Sequence, residues 1–192
     1  MRIIDISQEI LNCNVYPGDP APHMTQIADM AKGDLYNLTT LSICNHNGTH
    51  VDAPKHFFEN GISVDQIPLD TFVGECFVAR HTGDVLKKEA EEILSRAGKA
   101  ERLLIAGDVT VTEEAAIVFR DAGIKLIGNE SQTVGPKDAP MAVHKILLGA
   151  EIVLLEGVVL DGVEEGQYWL NAAPICIKGA EGAPVRAYLI ER

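Results

Sequence analysis

Four side chains that can bind a metal ion lie within eleven residues of each other: His46, His50, Asp52 and His56. Their alternate spacing would place all of them on one face of an extended strand. A straight strand would still hold His46 and Asp52 roughly 20 Å apart, whereas the ligands of one zinc ion lie within about 4 Å of each other. The chain must therefore fold back here, and Gly48 and Pro54 are residues that favour a sharp bend.

The donor types in this segment favour a catalytic metal site. Imidazole nitrogen and carboxylate oxygen suit zinc, and they also suit manganese, iron or nickel. Structural zinc sites mostly use cysteine and fill all four positions with protein ligands, and the segment contains no cysteine. The alternative is a polar loop in which one or two buried histidines are merely hydrogen-bonded.

Hydrophobic patterning predicts a mixed α/β fold. We expect strands in the first half of the chain and alternating helices and strands in the second half. The predicted strands are 2–7, 38–44, 74–80, 102–106, 124–127, 152–155 and 185–190, and the predicted helices are 87–97, 112–121 and 140–148. This pattern predicts a single domain over residues 1–192, built on a mixed sheet.

Composition limits which kinds of partner and which cellular compartment we expect for this chain. The net charge is −12, and the absence of a basic run argues against a nucleic-acid partner. No apolar stretch is long enough to span a membrane, and an acid at Asp5 interrupts what would be a signal sequence. The four scattered cysteines contain no CxxC pair, so we expect free thiols in a reducing cytoplasm.

The segment His46-Asn-Gly-Thr-His-Val-Asp-Ala-Pro-Lys-His-Phe57 closely resembles the signature HxGTHxDxPxHF of the cyclase family. That family includes bacterial kynurenine formamidase and isatin hydrolase. The pieces Ile4-Asp-Ile-Ser7, Tyr16-Pro-Gly-Asp19 and Gly182-Ala-Pro-Val-Arg186, together with Pro174, are similar to other family segments. The resemblance thus covers nearly the whole chain and implies the family's swivelling β/β/α fold.

The resemblance also implies a set of metal ligands. It assigns His46, His50 and Asp52 to a first divalent ion, with zinc favoured and manganese as the alternative. It assigns Asp52, His144 and Glu156 to a second ion, because His144 and Glu156 have the family's separation of twelve residues. His144 could otherwise be a helix or core histidine, and Glu156 a solvated acid at a strand end.

The function implied by the resemblance is hydrolysis of a small amide by a metal-activated water. His56 corresponds to the family's proton-transfer residue, and Tyr16 could form a wall of the substrate pocket or merely anchor its loop. The first hypothesis is an arylformamidase acting on N-formyl-L-kynurenine. The alternatives are a hydrolase of a cyclic amide or lactone such as isatin, and a metal-binding module without turnover. The family further implies a homodimer or a larger homo-oligomer.

Overall fold

The computed structural model describes residues 1–191. The strands in this range are β1 (Arg2–Asp5), β2 (His23–Ala28), β3 (Leu38–Ser42), β4 (His50–Asp52), β5 (Val73–Arg80), β6 (Gly83–Val85), β7 (Arg102–Ala106), β8 (Val109–Val111), β9 (Leu126–Asn129), β10 (Val153–Glu156), β11 (Gly166–Asn171), β12 (Gly182–Pro184) and β13 (Tyr188–Glu191). The helices are α1 (Leu69–Phe72), α2 (Lys87–Ala97), α3 (Glu113–Asp121) and α4 (Met141–Leu148), with short 3-10 turns at Ile10–Asn12, Met30–Lys32, Pro54–His56 and Val64–Gln66.

A nine-stranded sheet organises the fold, with the strand order β1-β13-β11-β5-β7-β9-β10-β4-β12. The central strands β5, β7, β9 and β10 run parallel to one another. The flanking strands pair antiparallel, including β4 with both β10 and β12. Parallel strands need long crossover connections, and α2, α3 and α4 lie in the segments between these central strands.

Both faces of the sheet are buried, and alternating residues of each strand face opposite sides. Leu103 and Ile105 of β7 pack against the helices α2, α3 and α4 on one side. Leu104 and Ala106 of the same strand pack into a second core on the other side. This second core includes Ile6 and residues of β4, β11, β12 and β13 from the two ends of the sheet, so the sheet is curled around it.

The predicted α/β class and mixed sheet are confirmed, and so are most of the predicted elements. The helix at 87–97 and the strand at 102–106 have the predicted bounds. The helix predicted at 112–121 is α3, and Thr112, the possible cap in the sequence, is its N-cap and accepts a hydrogen bond from the Ala115 backbone nitrogen. The assignment of residues 1–192 to one domain stays a prediction, and Arg192 lies outside the described residues.

The strand predicted at 38–44 is shorter than predicted and lies outside the main sheet. It ends at Ser42 and pairs with β2 in a separate two-stranded sheet, and it does not continue into the histidine segment as a strand of the main sheet. Every residue of β3 is exposed, so neither face of this strand packs against a core. This hairpin therefore stands outside the two cores.

Within residues 1–191, no helix has the length and apolar character needed to cross a membrane.

Candidate metal centre

The candidate site is built on the antiparallel pairing of β4 with β10. His50 lies directly opposite Glu156, and Asp52 lies opposite Leu154. Directly paired residues point to the same face of a sheet, and Leu154 packs into the core on the helical side. His50, Asp52 and Glu156 therefore all face the helix layer, while Val51 between the first two faces the opposite core.

Helix α4 brings His144 to the same place. Val143, Leu147 and Leu148 are buried against the sheet and fix the orientation of the helix. The His144 ring nitrogen Nδ1 lies 2.9 Å from the Pro140 carbonyl oxygen, and a carbonyl oxygen can only accept, so Nδ1 carries the hydrogen. The other ring nitrogen, Nε2, lies 3.2 Å from Glu156 Oε1.

His50 is held in the same way from the other side. Its Nδ1 donates to the Gly48 carbonyl oxygen at 3.0 Å. Its Nε2 lies 3.5 Å from Asp52 Oδ1 and 3.6 Å from Glu156 Oε2. A backbone carbonyl on the far ring nitrogen is the usual arrangement behind metal-binding histidines, because it fixes both the tautomer and the orientation of the ring.

The bend predicted at Gly48 is present. Gly48 has a φ of +63°, a conformation that glycine adopts without steric penalty. Next to it, Thr49 is buried and its hydroxyl donates to the Gly157 carbonyl oxygen at 2.7 Å. The Asn47 side chain accepts a hydrogen bond from the Cys44 backbone nitrogen at 2.8 Å. These contacts hold the segment folded back and return the His46 side chain toward β4.

His46 reaches Asp52 across this bend. Its Nδ1 lies 2.8 Å from Asp52 Oδ1, and its Nε2 lies 3.4 Å from Glu181 Oε1 without forming a hydrogen bond. A Cβ atom at Gly182 would lie only 2.8 Å from His46 Cε1. The absence of a side chain at Gly182 thus makes room for the imidazole ring.

Two groups of side chains in the described part of the chain could hold a metal ion. One is His46, His50 and Asp52, the other is Asp52, His144 and Glu156, and the ligand atoms of each group lie within 4.8 Å of one another. Asp52 belongs to both groups, so it could bridge two ions. The donor set fits a divalent cation, because imidazole nitrogens and carboxylate oxygens come together in each group.

Burial makes it costly to keep the side chains of this cluster charged. Asp52 and Glu156 are 1% and 2% exposed, and burial alone would raise the pKa of a carboxyl group. The pKa of Asp52 is nevertheless lowered, because the His46 hydrogen bond and the nearby histidine charges outweigh burial. Burial acts to lower the pKa of His46 as well, but the bond to Asp52 raises that pKa to about 9.

His56 lies beside the cluster and belongs to neither of the two groups. It ends the 3-10 turn Pro54–His56, which begins at the proline noted in the sequence. Its ring centre is 4.2 Å from that of His46, and its Nε2 is 4.0 Å from Asp52 Oδ2. Burial lowers the pKa of His56, so its imidazole is neutral at pH 7.

A pocket of about 220 Å³ opens onto these side chains. Tyr16 lines it, and the Tyr16 hydroxyl also donates to the Lys137 carbonyl oxygen at 3.3 Å, so a pocket wall and a loop anchor are both compatible with its position. The structure adds Gln132, Thr133 and Asp19 to the lining. Asp19 ends the Tyr16-Pro-Gly-Asp19 segment noted in the sequence, whereas neither spacing nor a motif marks Gln132 and Thr133 there.

Comparison with known proteins places this fold and site in a family. The Cyclase family model matches residues 4–136. The kynurenine formamidase of Salinibacter ruber is 35% identical, with 98% of this chain and 97% of that protein covered. The chain therefore belongs to the Cyclase family.

Two solved structures show how far the fold is shared. One, described as a potential metal-dependent hydrolase with cyclase activity, is 26% identical and has a TM-score of 0.84 over 100% of this chain and 98% of that chain. The other is isatin hydrolase A from Labrenzia aggregata, which is 22% identical and has a TM-score of 0.85 over 100% of this chain and 94% of that chain. The fold that the signature implied is thereby confirmed.

Because Asp52 belongs to both groups of candidate ligands, its replacement should affect both metal positions. We expect Asp52→Ala to lose metal from both groups, whereas His144→Ala loses it only from the group that contains Glu156. Bound zinc per chain, measured after loading and desalting, tests this, with circular dichroism to verify folding. Equal metal content in the two folded variants would contradict a bridging role for Asp52.

Proposed function

We propose that this chain is a metal-dependent hydrolase of carbon–nitrogen bonds outside peptides, and specifically an arylformamidase that converts N-formyl-L-kynurenine into L-kynurenine and formate. The observation that carries this proposal is the full-length likeness to kynurenine formamidase, joined to a buried cluster of histidine and carboxylate side chains in a pocket. The substrate is a small molecule that enters this pocket, and no nucleic-acid or membrane partner is needed.

The metal ligands in this proposal are His46, His50 and Asp52 for one ion, and Asp52, His144 and Glu156 for a second. Nitrogen and oxygen donors without thiolate favour zinc, with manganese as the alternative. A bound divalent ion would polarise the substrate carbonyl and lower the pKa of water toward 7. The chain itself fixes the rings of His50 and His144 through their backbone acceptors, Gly48 and Pro140.

His56 moves the proton in this mechanism. Its neutral imidazole accepts the proton that the attacking water loses, and then donates it to the amide nitrogen as the carbon–nitrogen bond breaks. Without that proton, the nitrogen leaves as a poorly stabilised anion. The position of His56 suits this role, since it lines the pocket while standing outside both groups of candidate ligands.

Aromatic side chains at the pocket suit an aryl substrate. Tyr16 and Phe57 both line it, and Phe57 packs edge-on to His56 with ring centres 4.7 Å apart. An aromatic substrate ring could stack on Tyr16 in the same pocket that the histidines line. We therefore assign Tyr16 to substrate binding.

We also propose a homodimer, assembled through the hairpin of β2 and β3. The apolar side chains of this hairpin that face solvent are Met24, Ile27, Met30, Leu35, Tyr36, Leu38 and Leu41. An isolated two-stranded sheet is marginally stable in water at best, and this many exposed large apolar side chains on one hairpin support an interface between proteins there. The free cysteines support a cytoplasmic setting for this assembly.

An assay of metal dependence and substrate choice tests the proposed function. We expect the purified protein to release formate from N-formyl-L-kynurenine, to lose this activity after chelation, and to regain it with zinc or manganese. Metal-dependent opening of isatin without formamide hydrolysis would replace the proposed substrate with a cyclic amide. Bound metal without turnover of either compound would contradict the enzymatic proposal.

Replacement of His56 separates proton transfer from metal binding. We expect His56→Ala to lower kcat by about 10²- to 10⁴-fold, the usual contribution of a general acid–base residue, with the bound metal unchanged. His81→Ala is the matched control, because His81 lies outside the pocket and hydrogen-bonds to Asp84. A His56→Ala protein that has lost its metal would show that His56 is a ligand instead.

The dimer proposal predicts a change in mass in solution. We expect light scattering to give a dimer for the wild-type protein and a monomer for the double variant Ile27→Asp/Leu35→Asp, because two charges would be buried without partners in the interface. Leu69→Asp is the control, since Leu69 is exposed on α1, away from the hairpin. A wild-type monomer would refute this proposal.

A further inference from the structure

The three histidines among the candidate metal ligands are supported in two different ways. Behind His50 and His144, a backbone carbonyl oxygen accepts the hydrogen of Nδ1. The Nδ1 atom of His46 instead faces Asp52 Oδ1 at 2.8 Å. The other nitrogen of this ring, Nε2, is buried and forms no hydrogen bond in the described part of the chain. His46 therefore depends on a group other than a backbone carbonyl to fix the orientation of its ring.

The positions of the ring atoms show which nitrogen of His46 would bind a metal ion. Asp52 Oδ1 lies 2.8 Å from His46 Nδ1 and 3.5 Å from His50 Nε2, so these two nitrogens face the shared carboxylate. A neutral imidazole carries its hydrogen on the nitrogen that does not bind the metal. In the metal-loaded site, the hydrogen of His46 is therefore expected on Nε2, whereas those of His50 and His144 are expected on Nδ1.

The Glu181 carboxylate lies on the Nε2 side of the His46 ring. Glu181 Oε1 is 3.4 Å from Nε2, slightly beyond the usual length of a nitrogen–oxygen hydrogen bond. A carboxylate oxygen can only accept, so it suits a nitrogen that carries a hydrogen. The Asn45 side-chain amide donates to the same oxygen at 3.2 Å. The residue that directly precedes His46 in sequence thus holds the carboxylate beside the His46 ring.

The backbone fixes Glu181 relative to the candidate ligands. Its carbonyl oxygen accepts a hydrogen bond from the Ala53 backbone nitrogen at 2.8 Å. The next residue, Gly182, pairs with Asp52 where β12 lies beside β4, and its lack of a side chain leaves space for the His46 ring. The same short strand therefore makes room for the ring and places a carboxylate behind it.

His46 needs this support more than the other two rings do. Its side chain is 13% exposed, compared with 2% for His50 and 4% for His144, so the surrounding protein encloses it less completely. The His46 ring also packs against the ring of His56, with centres 4.2 Å apart. A group that fixes the orientation of His46 therefore also limits the position of the proposed proton-transfer residue.

We propose that Glu181 is a positioning residue for His46, whose Nε2 hydrogen its carboxylate accepts when a metal ion binds Nδ1, and that Asn45 holds the carboxylate in place. This inference rests on the proposed metal site of the hydrolase and deepens it. A carboxylate acceptor behind a ligating histidine fixes the ring and increases its basicity. The metal position that contains His46 thus depends on a residue outside the histidine segment, whereas the position that contains His144 and Glu156 does not.

Zinc affinity, measured on the folded protein without substrate, tests this role. We expect Glu181→Ala to weaken binding at one of the two positions by about 10- to 100-fold, the usual loss when such a partner is removed, and to leave the other position unchanged. Glu181→Gln keeps an oxygen that can accept from both His46 and Asn45, so it should restore most of this loss. Competition with a chromophoric chelator measures both affinities, and circular dichroism verifies folding.

The control for this experiment is Glu59→Ala. Glu59 is exposed and does not line the pocket at the histidines, so its replacement removes the same charge without removing a contact there. A loss of the same size in the control would attribute the effect to net charge and overturn the role of Glu181. Equal losses in Glu181→Gln and Glu181→Ala would also overturn it, because the acceptor oxygen would then be irrelevant. Unchanged affinity in Glu181→Ala would overturn it directly.

The position of the hydrogen on each ring gives a readout that a change in stability alone would not produce. In ¹H–¹⁵N NMR spectra of the zinc-loaded protein, we expect His46 to carry its hydrogen on Nε2, and His50 and His144 to carry theirs on Nδ1. The His46 hydrogen should exchange with water faster in Glu181→Ala than in the wild-type protein. A His46 hydrogen on Nδ1 would overturn the inference, because the metal would then bind the nitrogen that faces Glu181.

Turnover separates this inference from the proposed reaction. Zinc binding that depends on Glu181 as expected, without hydrolysis of N-formyl-L-kynurenine, would support the positioning role and refute the reaction. Hydrolysis with the same zinc affinity in the wild-type protein and in Glu181→Ala would support the reaction and refute the positioning role.

Discussion

The burial of two carboxylates, Asp52 and Glu156, is the constraint around which the rest of the site is arranged. Removing an ionised group from water costs several kcal/mol unless opposite charge and hydrogen bonds replace the lost solvation. Here the replacement comes from three histidines on different elements and from the Val134 backbone nitrogen. The pairing of β4 with β10, the docking of α4 and the bend at Gly48 each bring one of these partners to the carboxylates. The fold and the charge balance of the site therefore depend on each other.

Local chemistry was enough to predict the part of the site that lies between His46 and His56. The ligand spacing required a bend, and Gly48 supplies it with a positive φ. His144 and Glu156 could be assigned only through resemblance, because nothing near either residue marks it as a partner of Asp52. Their proximity results from tertiary packing, in which β10 pairs with β4 and α4 packs over that face.

The features that the sequence did not predict are those determined by pairing between distant segments. β4 has only three residues, so it is too short for the alternation of polar and apolar residues that reveals a strand in sequence. β12 contains a glycine and a proline, which disfavour strands in sequence, and it pairs with β4 at the edge of the sheet. Gln132 and Thr133 resemble ordinary loop residues in sequence, and only the packing of distant segments brings them to the wall of the pocket.

The sequence separation of the candidate ligands has a consequence for the lifetime of the protein. A cation held by His50 and Glu156 would join segments roughly a hundred residues apart, and closing such a long loop removes much of the freedom of the unfolded chain. Ligands that bind only the native state stabilise it by mass action. Resistance to proteolysis would then follow the supply of metal in the surroundings, so that scarcity of the ion reduces the amount of protein as well as the fraction that is active.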